Sequence, residues 1–278
     1  MRGENCWKIC LTMYLRSPQF AGTFYPDDPQ TLEEMIENIL HDASIKKLKS
    51  KPRALIIPHA GYIYSGPVAA YGYKVIENQN YKKIILLGPS HHFSFQGLAS
   101  SPSGYWETPL GRIECLGKEN LKELKKTKEI IESSEIHEPE HCLEVEIPFL
   151  QTVLKDFKIV SFLTGELNIK TIVKILEPLV NEETLILVSS DLSHYYSYKE
   201  AQKLDKVTID AILDNDFKRL EEFGEACGKT GIDILLEIAK NKHWQPKLLK
   251  ASNSGDTAGD KSQVVGYASI VFFDYDSN

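Results

Sequence analysis

Several familiar features are missing from this chain. It has no run of the roughly 18–20 apolar residues that a membrane-spanning helix needs, so no membrane span is expected. It has no excess of basic charge: 32 Lys and Arg stand against 39 Asp and Glu, a net charge of −7. Neither a nucleic-acid backbone nor an anionic membrane surface is therefore expected as a main partner. The lysine-rich pieces Lys46-Lys47 to Lys51 and Lys122 to Lys128 are interleaved with other residue types and read as solvated helix faces. A dense, even-numbered disulfide framework is absent too. The five cysteines (Cys6, Cys10, Cys115, Cys142, Cys227) are odd in number and scattered, which places the protein in a reducing cytoplasm. The first twelve residues carry neither a long apolar run nor a small-residue cleavage site, so no signal peptide is expected. Met13 reads as the natural start, and residues 1–12 as an upstream translation or a disordered lead. No repeat, low-complexity tract or long linker interrupts the remainder, and residues 13–278 are read as one domain.

What is present is an alternation of buried-strand and helical patterns. Apolar runs at 53–58, 83–88, 157–163 and 184–190 read as strands. Helical patterns fall at 31–40, 67–77, 118–127, 145–155 and 168–180, and again at 198–214, 216–224 and 229–241. The alternation predicts an α/β fold: a single domain with a mostly parallel central sheet flanked by helices. Near the C-terminus, Pro246 to Ala251 and Gln263 to Phe273 flank a polar, glycine-bearing loop, which predicts an antiparallel pair. Gly97 to Cys115, punctuated by Pro102, Gly104, Pro109 and Gly111, reads as an excursion of short strands and turns.

Chemistry gathers just beyond three of these strands. Leu55-Ile56-Ile57-Pro58 leads to His59, Leu86-Leu87-Gly88-Pro89-Ser90 to His91 and His92, and Leu187-Val188-Ser189-Ser190-Asp191 to His194. Ligands of open α/β sheets bind beyond the carboxyl ends of the strands, so these imidazoles are candidates for one pocket. Adjacent His91 and His92 cannot both point the same way in extended backbone, so one is expected to face the pocket and the other, His92, to serve packing or sit beside the pocket. Asp191 is placed to ligate a metal, to orient a ligating ring, or simply to cap the next helix, a role open to Ser193 as well. Cys227 lies in Ala226-Cys227-Gly228-Lys229-Thr230, which is no phosphate loop because Phe223 stands where that motif requires glycine. It is either a thiolate ligand or nucleophile, or a small buried hydrophobe. His137 to Pro148 forms a second polar cluster, in which His141 and Glu144 are candidates for positions beside the pocket, with an exposed acidic helix entry as the alternative. Phe24 and Tyr64 are candidate pocket walls, with plain packing as the alternative.

Taken in order, Ala21-Gly22-Thr23-Phe24-Tyr25, Pro58-His59-Ala60-Gly61-Tyr62, Gly88-Pro89-Ser90-His91-His92, Glu140-His141, Ser189-Ser190-Asp191 with His194, Cys227-Gly228 and Val265-Gly266-Tyr267-Ala268 resemble the Memo family. That family is also described as component B of the AmmeMemoRadiSam system. The resemblance covers nearly the whole chain from Pro18 onward. It implies a domain similar to the class III, non-haem-iron extradiol dioxygenases. It also implies a pocket where His59, His91 and Cys227 bind iron or copper, with Asp191 and His194 beside them and Phe24 and Tyr64 at wall positions. The family often has tryptophan where this chain has Phe24. Cys227 takes the place of the dioxygenases' carboxylate ligand, and a thiolate softens the site toward copper, zinc or thiolate-bound iron.

The expected function is thus a redox-active metal protein, with His194 as acid–base group and Asp191 as orienting group. A non-catalytic peptide- or metal-binding module and a zinc-dependent hydrolase are the alternatives. An unidentified small molecule or peptide is the expected partner. The family name further implies a radical-SAM protein and an AMMECR-type protein.

Overall fold

Four strands form the centre of the sheet because nearly every residue in them is apolar and buried on both faces. The computed structural model describes residues 13–46, 48 and 50–275; the reading of residues 1–12 as a lead segment lies outside them. The strands are β1 (Tyr14–Arg16), β2 (Pro52–Ile57), β3 (Lys83–Pro89), β4 (Leu98–Ser100), β5 (Gly104–Thr108), β6 (Gly111–Cys115), β7 (Ile130–Glu132), β8 (Lys158–Thr164), β9 (Thr184–Ser189), β10 (His194–Tyr196), β11 (Trp244–Asn253) and β12 (Val264–Asp274). The helices are α1 (Pro29–Asp42), α2 (Tyr62–Ile76), α3 (Ser134–His137), α4 (Glu146–Val153), α5 (Ile169–Leu176), α6 (Tyr198–Leu213), α7 (Phe217–Phe223), α8 (Lys229–Lys242) and α9 (Ser254–Thr257).

The sheet runs β1-β5-β6-β8-β3-β9-β2-β12-β10, with β11 also on β12, β4 on β8 and β7 on β4. Strands β8, β3, β9 and β2 are mutually parallel. Near the C-terminus β12 turns antiparallel against β2, β11 and β10. This is the expected single-domain α/β architecture. Alternate residues of each central strand feed two cores, as the pleat requires. Leu55, Ile57, Leu86 and Leu187 join the core that α1, α2 and α4 complete. Ala54, Ile56, Leu87 and Val188 face the core completed by α5, α6 and α8. Among the described residues no helix is long and apolar enough to cross a membrane.

Three local expectations are corrected. The helix expected at 67–77 starts at Tyr62, with Pro67 inside it. The helix expected at 118–127 is only a 3-10 turn at Lys118–Asn120 followed by further turns. There Leu121 and Leu124 are buried while Lys118 Nζ donates to the carbonyls of Thr127 (2.6 Å) and Ile130 (2.8 Å), so two leucines and a lysine anchor an irregular segment. Lys51 is not on a helix face either, since α1 ends at Asp42 and Lys51 Nζ instead donates to the carbonyls of Asn80 and Glu182; Lys47 and Lys49 lie outside the described residues.

Candidate metal centre

β9 lies between β2 and β3, so the loops leaving these three strands emerge side by side at the carboxyl edge of the sheet. The residue after next beyond β2 is His59, only 2% exposed. Its backbone N–H donates to Asp191 Oδ1 (2.8 Å), its Nδ1 lies 2.7 Å from Ser189 Oγ, and its Nε2 lies 3.3 Å from Cys227 Sγ. Cys227 occupies the turn before α8. Its N–H donates to the Asp191 carbonyl at 3.2 Å, and its sulfur accepts the Asp191 N–H at 3.2 Å. The turn must have glycine next: a Cβ at Gly228 would stand 2.6 Å from Ser190 Cβ and 2.7 Å from the Ser189 carbonyl oxygen.

His91 follows β3. Its Nδ1 is 2.9 Å from Glu140 Oε2, while Glu140 Oε1 accepts the backbone N–H groups of His91 and His92. One donor atom each from His59, His91 and Cys227 therefore falls within 4.8 Å of the others. His91, Glu140 and His141 form a second such trio, sharing His91. The His141 ring stacks on His91 with centroids 5.0 Å apart and lies 4.5 Å from Phe24.

Above this cluster opens a cleft of about 560 Å³. Phe24, Tyr64 and His141 line it together with Asp191 and His194, and Tyr195 and Tyr267 complete its aromatic wall. Two residues expected beside the pocket do not line it. His92 contributes its backbone N–H to Glu140, and its ring is not on the cleft wall. Glu144 is buried behind the site, where it pairs with Arg16 and accepts from Tyr25 Oη (2.7 Å) and the Phe20 N–H (2.8 Å). Neither Asp191 nor Ser193 caps a helix, because α6 begins after Ser197.

Burial sets the protonation of the cluster. It drives the His59 pKa down to about 3, with His91 and His194 adding to the effect. His141 is likewise pushed down to about 3 by burial and its histidine neighbours. Burial, then the Asp191 carboxylate, raises the Cys227 thiol to about 12. Burial also raises Asp191 to about 6, opposed by the His59 N–H it accepts. Burial would raise Glu140 as well, but hydrogen bonds and charge from His91 outweigh it and hold the carboxyl below its usual range.

These residues fit a transition metal. A neutral imidazole keeps a free lone pair, and a buried thiol gains most from losing its proton to an adjacent cation. His59 and His91 each have the second ring nitrogen engaged, by Ser189 and by Glu140, as ligating histidines almost always do. The sequence reading missed Glu140 and Ser189 as orienting partners and Tyr195 and Tyr267 as walls. The available signal was position: Glu140 directly precedes His141, and Ser189 closes the strand that leads to Asp191.

The chain matches the family model described as Memo-like protein over residues 16–271. It is 38% identical over 289 residues to a MEMO1 family protein of Sulfolobus acidocaldarius, covering 94% of this chain and 100% of that relative. A MEMO1 family protein of Metallosphaera sedula is 35% identical over 281 residues, covering 93% of this chain and 99% of its own length. One from Nitrosopumilus maritimus is 34% identical, with 93% and 99% covered.

Proposed function

The chain belongs to the Memo family, and from that premise we propose that it holds one iron or copper ion between His59, His91 and Cys227 and performs redox chemistry on a small molecule or peptide in the cleft. The observation that carries this reading is the meeting of two imidazoles and one sulfur within 4.8 Å of one another, with both imidazoles on the lining of that cleft. The redox direction comes from the resemblance to the class III extradiol dioxygenases, with a softer ligand in the carboxylate's place. A bound iron or copper ion would supply one-electron chemistry and an open coordination position.

The chain's own residues do the rest. His194, on the cleft wall and outside the proposed ligand set, moves a proton to or from the substrate, imidazole being the side chain most often used for that work. Asp191 fixes the turn at His59 by accepting its backbone N–H. Phe24 and Tyr64 offer flat apolar walls that orient a substrate and exclude water.

Metal analysis of protein purified without air tests the reading. Wild type should carry about one equivalent of iron or copper, as a three-ligand site holds a single ion, and His59→Ala and Cys227→Ala should each lose it. Full occupancy in both variants would refute the site. Zinc alone would favour the hydrolase, since a three-ligand zinc site with an open position suits water activation. Tight peptide binding by metal-free protein, without metal-dependent oxygen consumption, would favour the binding module. Co-purification with a radical-SAM or an AMMECR-type protein tests the partnership implied by the family name.

A further inference from the structure

Ser189 is the last residue of β9 and is wholly buried. Its hydroxyl has one proton to give and two lone pairs to offer. Three groups surround it: His59 Nδ1 at 2.7 Å, the Cys142 carbonyl oxygen at 2.7 Å and Glu146 Oε1 at 2.8 Å. Glu146 opens α4 and is itself buried, 1% exposed. Its other oxygen accepts the hydroxyl of Tyr73. Among the described residues no lysine or arginine side chain bonds to Glu146, and the titratable groups around it are Tyr62, Tyr73, Cys142 and Asp191.

The donors and acceptors can all be paired in one way. The Cys142 carbonyl can only accept, so it takes the Ser189 proton. Both lone pairs of Ser189 then need donors, and the groups facing them are His59 and Glu146. We infer that Glu146 is a neutral carboxylic acid donating to Ser189, and that the chain Tyr73–Glu146–Ser189 thereby locks His59 in its Nδ1–H tautomer with the Nε2 lone pair facing Cys227. Every group is then used once. An ionised Glu146 would leave a single Ser189 proton to serve two acceptors, a costly shortage inside a core. Burial raises Glu146 to about 8, outweighing its hydrogen-bonding contacts with Tyr73 and Ser189, with Asp191 pushing the same way as burial. Glu146 and Ser189 are positioning residues acting through His59. Their importance for metal binding rests on the ligand role proposed for His59; the lock itself does not.

Nitrogen-15 NMR of the His59 ring in metal-free protein reads the tautomer directly, and titration with zinc ion alone reads the consequence. Wild type should show protonated Nδ1. Ser189→Ala should give mixed tautomers and bind zinc about 10–100-fold more weakly. Glu146→Gln reproduces the neutral acid, its amide N–H facing Ser189 and its carbonyl facing Tyr73. It should rescue the tautomer and zinc affinity that Glu146→Leu loses. Protonated Nε2 in wild type, an unchanged tautomer in Ser189→Ala, or a glutamine variant as impaired as the leucine variant would each overturn the lock. If the leucine variant does not fold, the wild-type and Ser189→Ala spectra still decide. A wild-type protein with the assigned tautomer but no affinity for metal would leave the lock standing and sink the metal reading instead.

Discussion

Replacing Arg16 with methionine should be among the most damaging single changes available outside the cleft. The guanidinium is 2% exposed and pairs with Glu144, itself 1% exposed. Its Nη2 also donates to the carbonyls of His137 (3.3 Å), Glu138 (3.3 Å) and Glu140 (2.9 Å). One side chain therefore ties β1 to the loop that presents Glu140 and His141. Methionine preserves most of the packed stem, so little of the cost comes from a cavity. What remains is a buried carboxylate without its counter-charge, worth about 3–5 kcal/mol. Loss of the guanidinium from over the buried Trp106 ring, 4.5 Å away, adds up to about 2 kcal/mol. The total is about 3–7 kcal/mol, and at about 2–4 °C per kcal/mol for a chain of this size the thermal midpoint should fall by about 6–28 °C.

Urea unfolding of the two single variants and of Arg16→Met/Glu144→Met gives the coupling directly. The double variant should lose about 1–3 kcal/mol less than the sum of the single losses. It should not return to wild type, because the N–H groups of Gln19 and Phe20 and the hydroxyl of Tyr25 lose their acceptor. An Arg16→Met protein within about 1 kcal/mol of wild type, well below the range for breaking a buried pair, would refute the reasoning.

Metal affinity should rise with pH. Cys227 is a free thiol up to about 12 and must give up its proton to a bound cation, while His59, at about 3, has none to give near neutrality. Zinc competition between about pH 7 and pH 9 should therefore show affinity growing about tenfold per pH unit, one proton being released per ion; a flat profile would exclude Cys227 as a ligand. Gly228→Ala should weaken zinc binding more than it weakens the fold, because the added methyl meets Ser190 and the Ser189 carbonyl beneath the Cys227 turn. Equal zinc affinity in the alanine variant and wild type would show that the turn can yield without moving the sulfur.

The central strands were legible because fully buried parallel strands are continuous apolar runs, as in Leu55-Ile56-Ile57 and Ile84-Ile85-Leu86-Leu87. β1 was not, since three residues have no period to read and its pairing with β5 is set by chain far away. The start of α2 was misplaced because Pro67 reads as a first-turn residue, whereas the helix tolerates it one and a half turns in. At the site, strand ends forecast that His59, His91 and His194 would face one pocket. The partner of each ring could not be forecast, because Ser189 reaches His59 through the register of β2 on β9 and Glu140 reaches His91 from a separate loop. Glu144 was placed beside the pocket for its neighbours in sequence, but its charge is absorbed by Arg16.

His59 and Cys227 stand 168 positions apart in the chain and touch at 3.3 Å. An ion seated between them would be a detachable staple across most of the molecule, gripping folded chains and letting go of unfolded ones. Resistance to heat would then report the free metal in the surroundings, with about 2.7 kcal/mol added at a hundredfold excess over Kd. Two preparations with identical chains, one grown in metal-rich and one in metal-starved medium, would melt at different temperatures.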